Sequence, residues 1–151
     1  MPYVETSTVI KGDVDEIYRL AKDMESYPRF MADVVSVRVV ERDGNSTVTE
    51  WVTRPRGVTL KWKERDLFDD EKRHIRYYQL EGDVKKFEGD WFFEPTPEGV
   101  KVTLTVDFEI GIPMFATLLN PFAGIIVRQN CESMLKAIKE QVEKEQAQKT
   151  D

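Results

Sequence analysis

The chain has 151 residues, of which 40% are hydrophobic and 33% charged, and it carries a net charge of −6. That length and balance describe a folded domain with its own core, and they exclude a disordered segment. The acidity disfavours nucleic acid and anionic lipid as general partners, because both demand a basic surface.

There is one cysteine, Cys131, and one histidine, His74. No internal disulfide or Cys/His zinc set can form from these, so no metal is expected, and no cofactor motif is present. Cys131 lies in a helical apolar pattern and reads as a small core residue. The opening "MPYVETSTV" has neither a basic nor an apolar leader region, so a cytoplasmic location is expected. The most apolar run, residues 110–127, is broken by Pro113, Asn120 and Pro121, and a spanning helix needs about 20 continuous apolar residues.

The elements follow in order. Residues 3–11 are β-prone. Asp13 is placed to cap a helix, with Glu16 three residues on. Ile17, Leu20, Ala21 and Met24 then recur at helical spacing until "DMESYPRFM", where Pro28 ends or redirects the helix. From residue 33 to residue 110 the period changes to two. Val35, Val37 and Val39 alternate with polar residues, and "RDGNS" is a tight-turn signal. Residues 47–54 form the next strand, "RPRG" turns the chain, and Val58, Leu60 and Trp62 alternate. Ile75, Tyr77 and Gln79 share a face opposite His74, which is read as exposed. "EGD" turns the chain again. Phe87, Gly89, Trp91 and Phe93 share the next face, and "EPTPEG" reads as a loop. Val100, Val102, Leu104, Val106, Phe108 and Ile110 alternate strictly, the clearest strand of the chain. Beyond Pro113 the chain turns helical, with Pro121 expected in the first turn and Val127, Cys131, Met134, Leu135, Ile138 and Val142 on one stripe. Residues 143–151 are polar and expected to fray.

No repeat or linker interrupts this order, so residues 1–151 read as a single α+β domain. A curved antiparallel sheet of about seven strands wraps a long C-terminal helix, with two short helices after the first strand. "DMESYPRFMADVVSVRVVERDG" and "YQLEGDVKKFEGDWFFEPTPEGVKVTLTVDFEI" resemble the START-like superfamily with its helix-grip fold. Within it the chain is similar to the polyketide cyclase/dehydratase group, which includes the coenzyme-Q-binding Coq10-like proteins. The resemblance implies a deep, mostly apolar cavity between sheet and helix that takes a polyketide, an isoprenoid quinone or a lipid.

On that reading Tyr27, Phe30 and Met31 line or close one end, though the same residues serve equally as core plugs. The lining continues through Glu50, Leu60, Trp62 and Gln79, then Phe87, Trp91, Leu104 and Phe108. It ends on Phe115, Val127, Cys131 and Met134. Glu64 shares parity with Trp62 and Leu60. A carboxylate in such a cavity must be paired, solvated or protonated. Glu64 is therefore either a general acid or base, with Tyr77 beside it, or a residue shifted to a wet rim by a bulge and paired with Arg76 or Lys61. Three functions follow: a carrier of a hydrophobic small molecule, an aromatase/cyclase, and an interaction module of the ribosome-associated toxin type. An inward pair of titratable groups favours the cyclase over the carrier. A basic patch at Arg54, Arg56, Lys61 and Lys63 would favour the third. Residues 112–124 form an apolar flap open to transient membrane contact.

Overall fold

The computed structural model describes residues 3–110 and 113–149, with the side chains of Arg56, residues 113–122 and Lys149 outside the description. Seven strands form one sheet: β1 (Tyr3–Ile10), β2 (Val34–Asp43), β3 (Ser46–Thr53), β4 (Leu60–Asp69), β5 (His74–Gly82), β6 (Lys86–Thr96) and β7 (Gly99–Glu109). Their order is β1-β7-β6-β5-β4-β3-β2, and every neighbouring pair is antiparallel. The helices are α1 (Val14–Lys22) and the long α2 (Pro113–Lys149). The alternating apolar residues of β7 and β6 meet the stripe Cys131, Leu135, Ile138 and Val142 of α2 in one core. This is the helix-grip fold.

Asp13 caps α1 as its spacing predicts, its carboxylate accepting from Glu16 N at 3.1 Å. The helix ends at Lys22, before Pro28 is reached. Pro28 sits within a second, 3-10 helix, Met24–Arg29. Tyr27 of that turn is fully buried and donates its hydroxyl to the carbonyl of Ala21. A carbonyl in the last turn of α1 has no partner within the helix, and the tyrosine supplies one. The interruption at "SYPRF" is thus a cap as well as a plug.

Several expectations need correction. The face Val35, Val37, Val39 does not exist, because β2 is bulged at two places and buries Val34 and Val37 while Val35 is exposed. Val58 is exposed and precedes β4. β6 runs on to Thr96, since Pro95 and Thr96 still pair with Val100 and Gly99. Helix α2 begins at Pro113, so Pro121 is interior to it. Residues 143–149 are helical, because Val142 is buried and Gln146 lies against Gly12 at the start of α1. His74 is half-buried, bonded to Asp90 at 2.7 Å and stacked on Phe92.

Gly89 is where the sheet opens toward its hollow side. The β6–β7 pairing lapses between Glu88 and Trp91. Thr105 Oγ1 takes the Asp90 N–H at 2.9 Å, and the Tyr77 hydroxyl donates to Thr105 O at 2.6 Å. A Cβ at Gly89 would stand 1.8 Å from Thr105 O and 2.6 Å from the Tyr77 oxygen. Gly89→Ala must therefore push two strands apart. It is expected to lower stability by about 1–3 kcal/mol in urea unfolding; an unchanged midpoint would show that this crossing is not constrained.

Candidate functional site

The site is built by the register of one strand pair. β3 faces β4 so that Thr47 lies opposite Asp66, Thr49 opposite Glu64, and Trp51 opposite Trp62. All six side chains stand on the concave side of the sheet, because residues alternate faces along a strand. The two indoles stack, with ring centres 5.4 Å apart and planes 7° from parallel, a pairing worth roughly 0.5–1.5 kcal/mol beyond burial.

Below that stack lie two buried acids, Glu64 at 3% exposure and Asp66 at 0%. Each has its donors. Trp62 Nε1 donates to Glu64 Oε1 at 2.6 Å. Thr47 and Thr49 donate their hydroxyls to Asp66 Oδ2 at 3.2 and 2.7 Å, and Trp51 Nε1 donates to Thr49 Oγ1 at 2.8 Å. Asp66 Oδ1 is buried and, among the described residues, has no hydrogen-bond partner. Glu64 stands two residues away on the same face of β4, and the two buried carboxyls act on each other. Two carboxylates that share a dry site cannot both be ionised, so the pair holds a proton. Burial pushes Glu64 well above the ordinary carboxylate range, and the charge of Asp66 pushes it further. Burial also raises Asp66, while the bonds from Glu64, Thr49 and Thr47 hold it back. Asp66 accepts two hydroxyls where Glu64 accepts one indole N–H, which favours the charge on Asp66 and the proton on Glu64.

Glu64 faces a hollow between sheet and α2 of about 40 Å³. Such a space takes about three waters. Tyr27, Trp62, Phe87, Trp91, Leu104, Cys131 and Met134 of the expected set line it, together with Glu64 and Tyr77. Phe30, Met31, Phe108 and Val127 pack in or beside the core without lining it, and the half-buried Leu60 and Gln79 do not line it either. Gln79 instead donates to Val84 O at 2.8 Å. Glu50 is on the opposite face, where Arg38 and Lys63 pair with it. The inward parity of β3 belongs to Trp51, the larger apolar payload. The side chain of Phe115 lies outside the description.

Both tyrosine hydroxyls of the lining donate to backbone carbonyls. Burial pushes the Cys131 thiol up to about 12, so it remains a thiol and no nucleophile. Glu64 pairs with neither Arg76 nor Lys61, since Arg76 bonds Glu88 and Asp90 on the outer face. Asp66 escaped the sequence reading although its parity with Glu64 was there to be used, as were the alternating threonines opposite it. Among the described residues no three His, Cys, Asp or Glu side chains converge as a metal set, and no helix is long and apolar enough to cross a membrane.

Residues 10–135 match the family model described as polyketide cyclase / dehydrase and lipid transport. The chain belongs to that family. A crystal structure of TTHA0849 from Thermus thermophilus is similar to this polyketide cyclase/dehydrase-family chain at 37% identity and a TM-score of 0.88, over 93% of this chain and 97% of that one. The Zhui aromatase/cyclase of a Streptomyces strain shares the fold at 20% identity and a TM-score of 0.85, over 93% of both chains. The ribosome association toxin RatA of Escherichia coli K12 is 25% identical over 111 residues, 72% of this chain and 69% of that protein.

A shared proton has a thermodynamic signature. The folded protein holds Glu64 protonated above the ordinary value of 4.5, whereas the unfolded chain releases that proton there. Stability is thus full below the unfolded pKa and falls as pH rises toward the folded one. Urea unfolding from about pH 4.5 upward is expected to show this decline in the wild type. In Glu64→Gln, whose amide still donates to Asp66, the curve should be flatter and the gain largest at high pH. Parallel curves for the two proteins would mean that Glu64 is ionised in the fold.

Proposed function

We propose that this protein takes a lipophilic, ketone-bearing small molecule of the polyketide class between its sheet and α2, and that Glu64 acts on it as a general acid. The observation that carries this reading is Glu64, backed by the buried Asp66, in the wall of a mostly apolar, aromatic-lined hollow. A carrier needs only the apolar wall. A buried carboxylic acid with its own donors is expensive to keep and supplies a proton where water is scarce.

In an aldol cyclisation, Glu64 gives its proton to the acceptor ketone oxygen as the new C–C bond forms at that carbonyl carbon. The enol of the donor carbon becomes a ketone, and its O–H proton returns to the Glu64 carboxylate. Trp62 holds the carboxyl in place, and Asp66 keeps it protonated between turns. Trp62, Phe87 and Trp91 offer flat faces to the product ring.

Pockets for ligands of this kind measure roughly 300–1,000 Å³, far more than the 40 Å³ present. Met24 and Met134 stand in the wall and are the side chains suited to make way, since an unbranched thioether adapts its shape at little strain. Of the basic residues that would favour a RatA-like reading, Lys63 is held by Glu50 and Glu81.

Native mass spectrometry of the protein as purified is expected to reveal a hydrophobic small molecule. Uptake of the neutral fluorophore phenylnaphthylamine is expected to weaken by about tenfold or more in Cys131→Leu, which fills the hollow. Equal uptake by wild type and variant would place the ligand elsewhere.

A further inference from the structure

Two spaces flank the carboxyl pair. Glu64 borders the inner hollow. On the outside, a pocket of about 110 Å³ opens between the β2–β3 hairpin and the Met24–Arg29 turn, and Thr47 and Thr49 line it. Lys22, Asp23, Glu25, Arg42 and Asn45 make its walls polar. Met24, 3% exposed, stands in the wall of both spaces. An apolar thioether there bars a file of water. Polar atoms nevertheless run from one space to the other, through the two threonines, Asp66 and Glu64.

The polarity of the bonds is right for moving protons. Thr47 and Thr49 each give their one hydroxyl proton to Asp66 Oδ2. A hydroxyl keeps two lone pairs. Thr49 spends one on the Trp51 indole, which leaves one for a donor in the outer pocket. Asp66 Oδ1, buried and with no other partner among the described residues, is left for the Glu64 carboxyl two residues along the same face, and Glu64 Oε1 is held by Trp62. Asp66 lines neither space, and among the described residues its hydrogen-bonding neighbours are the members of this series.

We propose that Thr47, Thr49, Asp66 and Glu64 form a proton relay from the hairpin pocket to the inner hollow, so that Glu64 exchanges its proton with solvent while a guest fills the hollow. A hydronium in the outer pocket becomes water as it protonates a threonine oxygen, and that threonine passes its own proton to Asp66. Asp66 turns its carboxyl and hands a proton to a Glu64 carboxylate that has given its own away. The use of this relay in catalysis rests on the function proposed above; its existence does not. Thr47, Thr49 and Asp66 are positioning residues, since none of them touches the hollow.

The test is infrared spectroscopy of the full chain transferred from H₂O to D₂O. The carbonyl stretch of the protonated carboxyl is identified by its loss in Glu64→Gln, and it shifts as the proton is replaced. Exchange is expected to slow at least about tenfold in the Thr47→Val, Thr49→Val double variant. The Thr47→Ser, Thr49→Ser variant, which keeps both hydroxyls, is expected to match the wild type. Equal rates in the wild type and the valine pair overturn the relay. A second measurement needs no variant: with phenylnaphthylamine saturating the hollow, exchange is expected to stay fast, and a slowing of about tenfold would put the route through the hollow and overturn the relay. Failure of the fluorophore to bind at all would count against the proposed function alone, and the valine comparison would still decide the relay.

Discussion

The fold depends on a pair of carboxyl groups taken out of water. Glu64 and Asp66 sit two residues apart on one face of β4, and among the described residues neither is paired with a cation. Without partners such a pair would unfold the strand or draw in solvent. The solution is local and specific. β3 brings two hydroxyls and an indole to the same depth, in the one register that sets Thr47 against Asp66 and Thr49 against Glu64. A slip of one residue would present Val48 and Glu50 instead and leave two acids without donors.

The aromatic wall follows from that register. Trp51 and Trp62 stack because they are cross-strand partners, and each also donates its N–H to the polar floor, one through Thr49 and one directly to Glu64. The indoles therefore separate two environments with a single group, apolar toward α2 and polar toward the acids. On the far side Gly89 lets Tyr77 cross to β7 and spend its hydroxyl on Thr105. That hydroxyl is consumed, which leaves the Glu64 carboxyl rather than the Tyr77 phenol to face the hollow.

The convex face handles charge differently. Arg76 bonds both Glu88 and Asp90, Lys86 reaches Glu88 and Asp107, and His74 joins Asp90. These groups are solvent-accessible and screened, so each pair adds little. The same residue types thus have opposite weight on the two faces of one sheet. Outside they keep the surface wet; inside, two of them form a buried pair that needs its own donors.

The amino-acid sequence by itself determined the architecture. Strict alternation in β7, the Asp13 cap and the helical stripe ending in Val142 depend on near neighbours only, and each survives folding unchanged. Alternation also put Glu64 inside. It failed where the backbone departs from a regular period. The bulges of β2 moved Val35 to the surface, and in β3 Trp51 outweighed the valines that seemed to pair with Glu50. Only the tertiary structure decided that Asp66 joins Glu64, and that their donors come from β3. It alone set the size of the hollow. Partnership between strands is a matter of register, and a register is settled by the packing of every side chain on the face at once, which no single strand encodes.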